Sequence, residues 1–180
     1  MPNRALLGRQ REKGEFLATG HDMQLTRQIG EHLVAAELGR RKIVATPFAG
    51  NVPVFDLLAA NDRGVAIPIQ VKTIRRHSWQ FQIQQFLDVQ MRGKRQHVIG
   101  RKRLTHPNLI CIFVRLRNDS NPEDEFYIFT LRNLQTHFHT TYKSRVRPRN
   151  PNSFHCAIRP HDLEVHKNNW SLIEKRMKSR

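Results

Sequence analysis

Hydrophobic and polar positions along the chain follow two different periods. From Asp22 to Leu38 the period is helical. Leu25, Ile29, Leu33 and Ala36 form one stripe, and Val34, Ala35 and Leu38 a second. A helix apolar on two faces is expected to pack on more than one side. Asp22 is the expected N-cap. After it the pattern shortens. Lys42 to Ala45 reads as a strand, followed by a loop from Pro47 to Pro53. Val54 to Ala60 and Val65 to Thr73 read as two strands of a hairpin, joined by the turn Asn61-Asp62-Arg63-Gly64. Pro68 lies inside the second strand and removes a ladder donor, so an irregular or unpaired side is expected there.

Farther on, Trp79 to Val89 mixes aromatic and polar residues and fits either state. Leu109 to Val114 is an unbroken apolar run and the best buried strand. Glu125 to Thr130 is expected to pair with it. Leu131 to His137 reads as a helix, Lys143 to Asn152 as a Pro- and Arg-rich loop, and His155 to Ile158 as a short strand. Pro160 to about Arg176 reads as a closing helix, with Pro160 suited to its start. One helix, several strands and late helices predict a mixed α/β (α+β) domain with a mostly antiparallel-connected sheet. Residues 21–180 form this single domain, and residues 1–20, with Arg4, Arg9, Arg11 and Lys13, read as a basic arm.

Charge changes the picture. Lys and Arg number 31 and Asp and Glu 15 in 180 residues, a formal net charge of +16. Such an excess favours a polyanionic partner, nucleic acid foremost. No apolar run approaches the length of a membrane span, so no membrane partner is expected. No secretory leader is readable. Cys111 and Cys156 do not make a disulfide framework, and a reducing cytoplasmic setting is the expectation. Phosphate loops of the GxxxxGK[ST] type and GxSxG elbows are absent from the sequence. The His137, His139, His155, Cys156, His161 and His166 group lacks zinc-site spacing.

The residues with the most chemistry are Glu31, Asp56, Gln70 and Lys72. Gln70 and Lys72 are two apart on one strand, so both project from one face, roughly 6.6 Å apart along it. Asp56 starts the neighbouring strand. Phe55, Leu57, Ile69 and Val71 supply the opposite, apolar face. A carboxylate, an amide oxygen and an ammonium therefore converge at one sheet edge. Oxygen donors suit a hard divalent cation, and a nearby ammonium suits charge building on a phosphoryl group. Glu31 shares a helical face with Val34, Ala35 and Leu38, so it is partly buried and wants a partner, a metal or Lys72.

Asp56 followed by Gln70-Val71-Lys72, with Glu31 on the preceding helix, resembles the PD-(D/E)XK nuclease signature. The resemblance covers about residues 22–75. It implies a restriction-endonuclease-like core, a central mixed sheet flanked by helices, and Mg²⁺- or Mn²⁺-dependent endonucleolytic cleavage of DNA. By position it makes Asp56 the metal-bridging acid, puts Gln70 in the place of the second acid, and makes Lys72 the catalytic lysine. Glu31 becomes the accessory acid and the Val71 carbonyl a further metal ligand. It also admits a homodimer, because nucleases of this core that cut both strands often work in pairs. Phe55 stands where the signature's proline is expected, and Gln70 removes one negative charge.

Three basic clusters accompany this site: Arg75 and Arg76; Lys143, Arg145, Arg147 and Arg149; and Lys94, Arg95, Arg101, Lys102 and Arg103. The first two are the expected nucleic-acid contacts. Arginine grips phosphate with two parallel hydrogen bonds, and such contacts give affinity with little sequence information. Trp79 and Phe81 are expected in the core. Two alternatives stay open: a non-catalytic nucleic-acid-binding protein on the same core, and a basic RNA-associated module.

Overall fold

The computed structural model describes residues 20–49, 54–93, 95–143 and 153–178. The expected basic arm lies outside these residues apart from Gly20, as do Arg145, Arg147 and Arg149. A central five-stranded sheet organises the rest. Its strands are β1 (Val44–Pro47), β2 (Leu57–Ala60), β3 (Ala66–Ile74), β7 (Ile110–Arg115) and β8 (Glu125–Thr130), side by side in that order. β3 and β7 run parallel and the other neighbours antiparallel, so the sheet is mixed. Between β3 and β7 the chain makes β4 (Trp79–Gln82), β5 (Leu87–Arg92) and β6 (Arg95–Arg101), and later β9 (His155–Ile158). β4 pairs with β9, and β5 pairs with β6.

Helices cover both faces of the central sheet. β7 shows why: it is apolar at every position up to Val114 and buried throughout that run. Ile110, Ile112 and Val114 point into one core with Leu57, Ile69 and Val71. That core is closed by α1 (Gly20–Arg40) and α3 (Ser171–Lys178) through Val34, Leu38, Ile173 and Met177. Cys111 and Phe113 point into a second core with Trp79, Phe81, Phe86 and Tyr127, closed by α2 (Leu131–Tyr142) through Leu134 and Phe138. Alternate residues of one strand thus feed two cores. The mixed α+β architecture agrees with the sequence expectation, and Trp79 and Phe81 are core residues as expected.

Several elements differ in detail. α1 is already helical at Gly20, so Asp22 sits in its first turn and not at its cap. Only one of its two apolar stripes is well buried. Val34 and Leu38 are fully covered, whereas Leu25 and Ile29 remain exposed, because the sheet reaches α1 from one side. Pro68 stands opposite Leu58 of β2, and the pairing with β7 begins one residue later at Ile69, so the missing donor falls where β3 has one neighbour. The closing helix is two pieces: a 3₁₀ segment over Pro160–His166, then α3. Between them Asn168 takes φ +53°, and its N–H donates to the Phe126 carbonyl at 2.8 Å, which ties the break to β8.

Two contacts fix how the layers meet. A Cβ at Gly30 would overlap the Thr73 hydroxyl and stand 2.9 Å from its Cβ and Cγ2, so only glycine lets α1 lie this close to β3. Across the sheet, Glu125 accepts from Lys167 Nζ at 2.8 Å, Tyr127 Oη at 2.9 Å and Arg115 Nη1 at 3.2 Å. Burial pushes the Glu125 carboxyl up, but those three donors outweigh it and hold it below the usual carboxylate range.

Helix propensity favours Ala over Gly by about 0.8–1.0 kcal/mol, while forcing a methyl into a packed strand costs about 1–3 kcal/mol. Gly30→Ala is therefore expected to lower the melting temperature, and adding Thr73→Ala to restore part of the loss; an unchanged single variant would contradict the close approach. Glu125 contributes stability above its unfolded pKa, about 4.3, and that contribution is lost as pH falls through its lower folded value. Wild type should lose more stability than Glu125→Gln on acidification below about pH 4, as read by urea midpoints at each pH.

Candidate active site

β2 and β3 separate at Asp56. Their register runs from Ala60 opposite Ala66 to Leu57 opposite Ile69, while β3 continues to Ile74 beside β7. The Asp56 N–H still donates to the Ile69 carbonyl at 2.8 Å. The Val71 N–H, on the edge that β2 has left, donates to Asp56 Oδ2 at 2.8 Å. The carboxylate thus replaces the missing strand, which accounts for an acid at the first residue before β2. The Asp56 carbonyl accepts from the Phe48 N–H at 3.0 Å, and the Phe48 and Phe55 rings pack edge-on at 5.4 Å. Asp56 is therefore held by backbone bonds on both sides.

α1 lies across this edge. Glu31 is 5% exposed. Its Oε1 accepts from Arg27 Nε at 2.8 Å, one helical turn back. Arg27 Nη2 is also 3.8 Å from Asp56 Oδ1. Two carboxylates from distant parts of the chain thus share one guanidinium. The Glu31 hydrogen bond, with the fields of Glu31 and Asp56, raises the Arg27 pKa above its usual value against partial burial. Glu31 does have the partner its burial demands, but that partner is Arg27 and not Lys72. Arg27 carries no motif; its only sequence signal is the i, i+4 spacing to Glu31.

Gln70 and Lys72 lie on the other face of β3, opposite Cys111 and Phe113 of β7. Lys72 Nζ stands 5.2 Å from the centre of the Phe81 ring, a cation–π contact. The Lys72 carbonyl accepts from Trp79 Nε1 at 3.0 Å. Gln70 Oε1 is 4.0 Å from Cys111 Sγ, and burial pushes that thiol up to about 12. The Lys72 ammonium lowers the thiol pKa and the Asp56 carboxylate raises it, so both charges are felt at Cys111. Asp56 touches Arg27 and the Val71 N–H at the edge of β3, while Gln70 and Lys72 stand on the face of that strand turned away from α1.

The remaining expected contacts are dispersed. Arg75, at the end of β3, donates from Nε to Thr26 Oγ1 at 2.8 Å, and Arg76 beside it is exposed. Lys143 is exposed at the C-terminal end of α2. Hollows among the described residues flank the fold. One of about 410 Å³ lies under Phe55, Pro68 and Leu109. Another, about 440 Å³, lies between β9 and α2 and is lined by His137, His155 and Arg159.

Oxygen donors predominate at the Asp56 edge. Among the described residues no group of three or more His, Cys, Asp or Glu side chains could hold a metal ion. A cation at this edge therefore needs the Gln70 amide oxygen or a backbone carbonyl beside Asp56 and Glu31. That donor set suits a hard divalent ion. The two carboxylates already gather one positive charge between them, so the charge demand of the site fits such an ion as well.

No family model matches the sequence, and no curated protein matches it. Among solved structures, the bacterial homing endonuclease I-Ssp6803I is similar over 85% of this chain and 93% of that one, with 10% identity and a TM-score of 0.48. So remote a likeness assigns no activity. Among the described residues no helix is long and apolar enough to cross a membrane.

Removing the guanidinium while keeping its length, in Arg27→Met, leaves the buried Glu31 without its donor. The variant is expected to lose about 1–2 kcal/mol at neutral pH, and Glu31→Gln in the same chain to recover part of it. Denaturant melts that show no loss in Arg27→Met would contradict the bridge.

Proposed function

We propose that this protein is a metal-dependent endonuclease that hydrolyses phosphodiester bonds in DNA. One observation carries the reading: Glu31 and Asp56 converge on a single positive charge at the edge where β2 leaves β3, with Gln70 and Lys72 on the adjoining face. A central mixed sheet with helices on both faces is also what a restriction-endonuclease-like core calls for. The net charge of +16 suits a polyanionic substrate.

Mg²⁺ or Mn²⁺ would be held by Asp56, Glu31 and the Gln70 oxygen, with the Val71 carbonyl as a further ligand, and would supply Lewis acidity toward phosphate and water. The protein's own groups do the rest. Asp56 is fixed by the Val71 N–H, so its second oxygen keeps one direction. Lys72, steadied against the Phe81 ring, orients the attacking water and stabilises charge on the phosphoryl oxygens. Arg27, about half exposed, has room to release the acids and turn toward a phosphate. Arg75 and Arg76 at the end of β3 extend the cationic surface from the site. DNA is the partner, and a homodimer is the arrangement that would cut both strands.

The amide at Gln70 favours a second reading, a DNA-binding protein on the same core that has lost catalysis, because an amide binds a hard cation less well than a carboxylate. Nicking of supercoiled plasmid decides between them. Cleavage is expected with Mg²⁺ or Mn²⁺, to stop with EDTA, and to fall about 10²-fold or more in Lys72→Ala and Asp56→Asn. Retained DNA binding without cleavage under any metal would establish the second reading, and preference for RNA with no metal effect would establish an RNA-associated module. Arg27→Met should gain more thermal stability from millimolar Ca²⁺ than wild type does, because the guanidinium no longer competes for the two acids.

A further inference from the structure

The hairpin of β5 and β6 has no part in the hydrolytic site, yet it lies in a strongly basic stretch of the chain. Residues 87–103 contain six Lys and Arg and one acid, Asp88. The hairpin is a two-stranded sheet of its own, six and seven residues long. One face is anchored. Leu87 is buried, Val89 and Val98 pack on the second core, and Gln96 donates to the Ser153 carbonyl at 3.0 Å. The root is clamped by a buried amide: Gln135 of α2 donates to the Phe86 carbonyl at 2.9 Å and to the Lys102 carbonyl at 2.6 Å, just outside the two strands. The other face is polar: exposed Gln90 lies opposite half-buried His97, and exposed Arg92 opposite exposed Arg95.

Two features of that face point to a ligand. The first is the Arg92–Arg95 pair, since like charges directly opposite on a hairpin are destabilising. Nothing in the fold of the ribbon calls for two arginines there; a polyanion offsets their repulsion. The second is position. Phe86 at the root packs against Phe81 at 5.8 Å, and Phe81 carries the Lys72 ammonium at 5.2 Å. The ribbon and the Lys72 face of β3 therefore belong to the same side of the central sheet, within reach of one extended ligand.

We propose that the β5–β6 ribbon is the element that reads DNA sequence, by entering the major groove of a duplex. A B-form major groove, about 12 Å wide, admits a two-stranded ribbon. Gln90, Arg92, Arg95 and His97 then face the base edges, where Gln suits adenine and Arg suits guanine. Arg101, Lys102 and Arg103 at the root are exposed and hold the flanking phosphates, which position the ribbon without reading sequence. The proposal rests on DNA being the substrate, and it assigns sequence preference to a part of the chain separate from the cleavage residues.

The test is selection from a random-sequence 30-bp duplex pool in EDTA, so that binding is scored without cleavage. Wild type is expected to enrich a sequence motif. The variant Gln90→Ala/Arg92→Ala/Arg95→Ala is expected to lose that motif and to bind the selected duplex about tenfold or more weakly. Its melting temperature should be unchanged or higher, because the arginine repulsion is gone. It should still nick plasmid at low salt, since the Asp56 edge is untouched. Arg101→Ala/Arg103→Ala should keep the motif and flatten the salt dependence of binding. Enrichment of the same motif by the triple variant, no motif with wild type, or stronger competition by an A-form RNA duplex, whose major groove is closed to a ribbon, would each overturn the proposal. Loss of the motif in a protein that cleaves no plasmid would sustain the ribbon and reject the nuclease reading; cleavage with an unmoved motif would do the reverse.

Discussion

The Asp56 carboxylate accepts the Val71 N–H at the point where one strand leaves another, and the site is built outward from that bond. Without an acceptor there, the exposed edge of β3 would carry an unpaired donor beneath a helix. With it, a carboxylate is locked at the mouth of the gap with one oxygen committed and one facing Arg27. Gly30 then determines how close α1 comes, and α1 brings Glu31 and Arg27 to the same gap. On the far face of β3, Gln70 and Lys72 follow from strand alternation alone. The charged groups gather at an edge because only there do residues from both faces of a sheet come near one another.

That arrangement explains why two cores matter. Ile69 and Val71 lock β3 against α1, while the Phe81 ring, itself stacked on Phe113, lies beneath the Lys72 ammonium. Hydrophobic packing holds the charged groups in place from both sides. The second core also carries the β5–β6 ribbon, through Phe86 and Gln135. The residues proposed for cleavage and the ribbon are thus joined through the same core, by way of Phe81 and Phe86.

Much of this was legible in the sequence. Leu109 to Val114 could be buried on both faces only in a central strand, and Glu125 to Thr130 paired with it as expected. The turn at Asn61 to Gly64 implies a hairpin with Asp56 at the head of one strand and Gln70 on the other; in the fold β2 starts one residue after Asp56. Other features were hidden for physical reasons. Arg27 looks like any solvent-facing helix residue until Asp56 is folded against it. The two stripes of α1 are equivalent on paper, and only the one-sided approach of the sheet decides that Val34 and Leu38 are buried and Leu25 and Ile29 are not. Asn168 breaks the last helix through a left-handed backbone and a bond to β8, which periodicity cannot display. The β5–β6 hairpin escaped because residues 90–103 show a cluster of basic residues and no clear apolar alternation, although the strands place Arg92 across from Arg95 in register.

Anomalous scattering from Mn²⁺ in crystals of the protein tests the central claim most directly. A peak in contact with the Asp56 and Glu31 carboxylates, with the Arg27 side chain displaced from between them, is the predicted result. A fully occupied Mn²⁺ elsewhere, with the Arg27 bridge intact at saturating metal, would contradict it.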